Sequence, residues 1–135
     1  MSKPPDRSGR KARRKTGRKA RQQAQRRGRW AETLSALYLR LTGHRVLARN
    51  YKTPVGEIDL IAKRAGVVSF IEVKARANIA QACDAITAKQ RARIQRAAEL
   101  FLIQNPSLQR CDVRFDVCLV TSRLRLRLLR DAWRP

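Results

Sequence analysis

Apolar residues follow two periods along this chain, and the change from one to the other marks its elements. Trp30, Leu34, Leu37, Tyr38 and Leu41 recur at i, i+4, i+7, i+8 and i+11, which predicts an amphipathic helix closed by Gly43. Glu32 lies opposite that stripe, while Ala36 and Leu39 are on its side. The helix is then covered on two faces and Glu32 looks into the interior or a cleft; the alternative is a solvated glutamate near a helix N-terminus. Residues 45–51 read as a first strand and 53–56 as a turn. Two short apolar runs within 56–76, separated by Lys63-Arg64-Ala65-Gly66, read as a β-hairpin.

Residues 77–83 are small and polar and read as a loop. A helix follows from Asp84 or Thr87 to Gln104, stopped by Asn105-Pro106, with Ile86, Gln90, Ile94, Ala97 and Phe101 as its inward stripe. Lys89, Arg93 and Arg96 make a basic ridge beside it. Thr87 to Gln90 has the form of a capping box, which offers Gln90 a role as capping partner; the other is a polar group aimed at the same place as the hairpin. Val113, Phe115, Val117 and Leu119 alternate as a fourth strand. Leu124, Leu126 and Leu128 alternate with Arg123, Arg125 and Arg127 as a fifth, whose arginine face suits an edge. The order αβββαββ predicts an α/β domain, a mixed sheet of about five strands flanked by helices.

Charge changes the picture most. The 135 residues carry 32 Lys and Arg against 10 Asp and Glu, a net +22. Residues 1–29 hold 13 of the bases and one acid, 13 − 1 = +12, and residues 30–135 hold the remaining 19 and nine, 19 − 9 = +10. Residues 1–28 have no hydrophobe larger than alanine after Met1, so they read as a disordered basic arm that turns helical around 18–27 on a nucleic-acid partner, ahead of a domain spanning 29–135; a non-specific solubilising or start-site extension is the alternative. The balance points to a polyanionic partner, above all nucleic acid. No stretch reaches the roughly 18 apolar residues of a spanning helix, and the N-terminus lacks the apolar segment of a secretory signal; the default expectation is no membrane and the cytoplasm. Cys83, Cys111 and Cys118 lack metal-site spacing and read as reduced thiols. His44, the sole histidine, excludes a two-histidine metal site.

The hairpin holds the candidate chemistry. By strand alternation Glu57 and Asp59 point one way and Ile58 and Leu60 the other, while Phe70, Glu72 and Lys74 share a face. Facing carboxylates repel unless a cation or a lysine intervenes, and magnesium or manganese takes oxygen ligands of this kind. Lys74 would supply a point charge to orient water or to stabilise a transition state. Cross-strand ion pairs on a solvated face are the alternative at this level.

Asp59 followed by Glu72-Val73-Lys74 resembles the active-site signature of the PD-(D/E)XK nucleases, the restriction-endonuclease-like fold. More closely, the chain is similar to the YraN-like family of small bacterial proteins, through Ala31-Glu32, Gly43, Arg49-Asn50, Gly56 to Ala62, Phe70 to Arg76, Lys89 with Arg93-Ile94, and Arg114 to Val117. The resemblance implies a restriction-endonuclease-like core and an Mg2+- or Mn2+-dependent endonuclease acting on DNA. Asp59 and Glu72, with the Val73 carbonyl, would hold the metal. Lys74 would be the catalytic lysine, and Glu32 would help hold or orient the metal site. Gln90 is a looser transfer, and Glu57 belongs to the motif without a role. Lys89, Arg93, Arg96 and Arg76 would contact phosphates. No base-reading element is evident, so structure-selective (junction-resolvase-like) or non-specific cutting, by a monomer or a homodimer, fits better than a long recognition site. The rival reading is a non-catalytic nucleic-acid-binding module on the same fold; an RNA-associated basic protein is a third.

Overall fold

The computed structural model describes residues 8–121 and 125–135. The elements are α1 (Ser8–Leu41), β1 (Arg45–Thr53), β2 (Gly56–Arg64), β3 (Val67–Ala75), α2 (Ile79–Asp84), α3 (Ala88–Gln104), β4 (Asp112–Val120) and β5 (Leu126–Trp133), with a 3-10 turn at Pro106–Leu108. The strands form one mixed five-stranded sheet in the order β1-β2-β3-β4-β5. Neighbours are antiparallel except β3 and β4, whose parallel pairing requires the crossover that α2 and α3 supply. The α/β architecture and its five strands are therefore as the periodicities predict.

Two apolar layers cover the sheet. Ile58, Ile61, Phe70, Phe115 and Val117 pack with Ile94, Ala97, Ala98 and Phe101 of α3. Leu60, Ala62, Ile71 and Cys118 pack with Ala36 and Leu39 of α1. The turn between β2 and β3 places Ala65 (φ 48°) and Gly66 (φ 76°) in left-handed conformation, the geometry that suits the twist of a two-residue hairpin. Gly56 is required by close approach: a Cβ there would lie 2.2 Å from the Arg93 carbonyl oxygen, so β2 begins directly against the backbone of α3.

Several expectations change. α1 starts at Ser8, so the helix runs back through 8–28, where a disordered arm turning helical around 18–27 on a partner is expected. Arg, Lys, Gln and Ala are good helix formers, and the described side chains from 16 to 28 are exposed, so propensity rather than burial explains that stretch. Residues 1–7 of that arm, and Arg123 and Leu124 of the predicted fifth strand, lie outside the described residues. Within the packed half of α1, the buried side is Ala31, Ser35, Ala36 and Leu39, whereas Trp30, Leu37 and Leu41 are 48, 51 and 78% exposed. Small side chains let the helix backbone lie close to the sheet, and the bulky stripe turns outward. Residues 77–83 are not all loop: Ile79–Asp84 forms a helix capped by the Asn78 side chain, which accepts from the Gln81 N–H. β5 runs on to Trp133, beyond the leucine–arginine alternation.

One buried ion pair fixes the sheet's far edge. Asp116, wholly buried, accepts from Arg114 Nε at 2.8 Å and Nη2 at 3.0 Å and from the Asp131 backbone N–H at 2.9 Å. Asp131 has φ 54° and sits where the β4–β5 register shifts, so the carboxylate holds the bulge in place.

Candidate active site

The site forms where the ladder between β2 and β3 stops. Antiparallel pairing runs from Arg64↔Val67 down to Leu60↔Ile71. At the next step Asp59 takes over: its Oδ2 accepts the Val73 backbone N–H at 2.8 Å, standing in for a strand partner. Strict alternation fails at the same place. Ile58 packs in the α3 layer and Leu60 in the α1 layer, although both were expected on one face. Across β1, Asn50 lies between the Arg49↔Leu60 and Tyr51↔Ile58 pairs and has φ 49°. A left-handed residue rotates the strand and re-aims the side chains around it.

Glu72 is held from two directions. Gln90 Nε2 of α3 donates to Glu72 Oε1 at 2.9 Å, and Lys74 Nζ lies 3.3 Å from the same oxygen. Thr87 Oγ1 caps the Gln90 N–H at 3.1 Å, but the Gln90 side chain goes to the site instead of closing a capping box. The role as capping partner is therefore corrected for that side chain. From the other layer, the half-buried Glu32 reaches both Asn50 and Asp59. Asp59, Glu72, Lys74, Glu32 and Gln90 are thus brought together by β2, β3, α1 and α3.

Buried carboxylates this close favour protonation. Burial pushes the Asp59 carboxyl up to about 7, with the Glu72 carboxylate adding to the push and the Val73 N–H pulling back. Glu72 is raised chiefly by burial, against the lowering pull of Lys74. Glu32 is raised by burial and then by Asp59, with Asn50 opposing. An excess of desolvated negative charge faces one place, which suits a divalent cation. Among the described residues no three or more His, Cys, Asp and Glu side chains form a ready cage for a metal ion. The side chains that could hold a cation here are the Asp59–Glu72 pair, with Glu32 beside them. Val73 contributes its N–H to the geometry seen here.

Beside the carboxylates opens a cleft of about 480 Å³ lined by Glu57, Thr87, Lys89, Gln90, Arg93 and Ile94. Lys89, Arg93, Arg96 and Arg76 are all exposed, and Arg76 folds back on the Ala75 carbonyl at 2.9 Å. Glu57 is exposed at the cleft, apart from the Asp59–Glu72 contact. Asn50 was missed as a site residue; a polar residue in a strand opposite an acid was the available signal. His44 caps the far end of α1 beside Thr42, and Cys83, Cys111 and Cys118 are free thiols, the last with its pKa pushed up to about 11 by burial. None of these four joins the carboxylates.

Comparison with known proteins places most of the chain in one family. The profile described as "Uncharacterised protein family UPF0102" matches residues 31–120. A UPF0102 protein of Paramagnetospirillum magneticum is 48% identical over 112 residues, covering 80% of this chain and 87% of the relative. One from Parvibaculum lavamentivorans is 48% identical over 105 residues, 78% of this chain and 79% of the relative. One from Maricaulis maris is 44% identical over 109 residues, with 81% and 86% covered. No helix among the described residues is long and apolar enough to cross a membrane.

Proposed function

The chain belongs to the UPF0102 family, the YraN-like family of the sequence resemblance, and we propose that it is a metal-dependent endonuclease that hydrolyses DNA phosphodiesters on a restriction-endonuclease-like core. The observation that carries this reading is the Asp59–Glu72 pair at the opened ladder, with Lys74 on the same carboxylate and a basic cleft alongside. A pure binding surface gains nothing from burying two acids where phosphate must approach.

In this reading Asp59 and Glu72 hold Mg2+ or Mn2+, with Glu32 assisting. The ion, when bound, supplies charge neutralisation on the phosphate and a more acidic water. The chain's own groups set the geometry. The Val73 N–H fixes the Asp59 carboxylate, and Gln90 fixes that of Glu72. Lys74, 15% exposed at the side chain, keeps a cation at the mouth of the site, where it orients the attacking water and offsets charge growing on phosphate oxygens. Lys89 and Arg93 line the cleft and hold the phosphate backbone.

The rival, a basic binding module without chemistry, draws on the net +22 alone. The test incubates the protein with Mg2+ or Mn2+ and single-stranded, duplex, flapped and four-way-junction DNA, beside Asp59→Ala and Lys74→Ala. Cleavage by the wild type, lower by about 100-fold or more in both variants, is expected. Equal cleavage by all three identifies a contaminant and sinks the assignment. Binding without cleavage under both metals selects the module.

A further inference from the structure

The N-terminal half of α1 has no place in the chemistry above. Its described side chains between residues 16 and 30 are exposed, and it stands clear of the sheet. By spacing, Lys19, Arg26 and Arg27 fall elsewhere round the helix, but three of its arginines share one side with Glu32. Arg18, Arg21, Gln25, Arg29 and Glu32 follow one another at intervals of 3, 4, 4 and 3 residues, which on an α-helix is a single row. The last member of that row is the carboxylate that reaches Asp59. Fourteen residues of helix separate Arg18 from Glu32, about 21 Å at 1.5 Å per residue. Arg49 stands beside the row's end, its Nη2 donating to Thr33 Oγ1 at 3.0 Å.

This row is energetically incomplete by itself. Arg18 and Arg21, like charges three apart, repel on one face of the helix, no acid lies in its first turn, and no acid forms an ion pair with Arg18, Arg21 or Arg29 among the described residues. A polyanion laid along it relieves that repulsion. Residues 8–29 hold no Phe, Tyr or Trp, so the row lacks the stacking surfaces that single strands use. A stiff helix fits the wide major groove and flanking phosphates of B-form DNA, whereas the major groove of A-form RNA is too narrow for it.

We propose that this half of α1 is a phosphate rail: Arg18, Arg21, Gln25 and Arg29 lead the backbone of a B-form duplex towards the Glu32–Asp59–Glu72 site. The proposal rests on the nuclease reading for what happens at the rail's end, but not for binding itself. At about 3.4 Å per base pair the rail extends the contact by roughly six base pairs to one side of the carboxylates.

The test measures binding of the full chain to a 24-base-pair duplex by anisotropy across a salt series, with Ca2+ replacing Mg2+. Three variants are compared: Arg18→Gln/Arg21→Gln, the charge-matched Arg125→Gln/Arg127→Gln on the β5 side, and Gln25→Pro, which breaks the row without removing charge. Thermal melting checks that the sheet domain stays folded in each. The rail predicts that the first variant lowers the slope of log K against log salt by about 2, that Gln25→Pro lowers it by a similar amount, and that the second changes it by less than about 0.5. An unchanged slope in Gln25→Pro overturns the rail, since mere charge would survive the kink. Equal losses in the two arginine pairs overturn it as well. A 24-nucleotide single strand or an RNA duplex bound with the same slope overturns the choice of B-form DNA. Lack of cleavage in Mg2+ would sink the nuclease reading and leave these slopes interpretable.

Discussion

Asp59 shows what a buried carboxylate costs in stability. Its ordinary value is 3.8 and the folded environment raises it to about 7. The folded chain therefore holds the extra proton between those values, and stability declines as pH rises from about 4 to about 7. Above 7 the full penalty is present. Asp59→Asn keeps an acceptor for the Val73 N–H and removes the charge, so the metal-free variant should be more stable than wild type at pH 8, by on the order of 2 kcal/mol, and no different below pH 4. Melting curves at the two pH values check this, and a destabilised variant at pH 8 would contradict the burial account. The residue scale is also where the sequence was most informative. Asp59, Glu72 and Lys74 stood out because acids and a lysine interrupt apolar strands. Gln90 and Glu32 stayed ambiguous, because helical position alone does not say whether a polar side chain turns to its own cap, to solvent or to a neighbouring element. Asn50 escaped because strand alternation assumes ordinary backbone angles, and its φ of 49° departs from them.

Between residues and molecule, the elements reveal which rules compete. Hydrophobic size selected the Trp30–Leu41 stripe as the buried side of α1, yet closeness of approach selected Ala31, Ser35 and Ala36. Periodicity gives a helix its direction of amphipathy only when bulk and burial coincide. The hairpin was legible because both runs and the break between them agree. It is not optimal, however: Ala65 bears a Cβ at φ 48°, ahead of Gly66 at 76°. Ala65→Asn substitutes the residue this turn favours and should raise stability by about 0.5–1 kcal/mol without touching the site. Chemical denaturation measures the change. A loss of stability would mean that the turn relaxes otherwise in solution.

For the whole molecule, charge is the dominant fact. A net +22 on 135 residues repels itself, and the compact state suffers more than the expanded one. Raising NaCl from 50 to 500 mM should therefore raise the melting temperature by several degrees, and polyvalent anions should do so at lower concentration. A falling melting temperature would show that local ion pairs such as Arg114–Asp116 outweigh the global field. Composition disclosed this excess at once, and the order of periods disclosed the α/β layers. The continuation of α1 back to Ser8 was legible only around 18–27, and there only as helix formed on a partner, since an apolar pattern does not announce a helix whose described side chains are exposed.

The opened ladder also gives the molecule a built-in reporter. Because the Val73 amide proton points at an Asp59 oxygen 2.8 Å from its nitrogen, its magnetic resonance shift registers the charge on that oxygen. The Val73 peak should move downfield as Asp59 ionises, with a midpoint near 7, and move again when Mg2+ is titrated in, while the amide of Ala65 stays still. A Val73 peak indifferent to both titrations would dissociate the amide from the carboxylate. One backbone hydrogen thus reports the charge on the Asp59 carboxylate without any substrate.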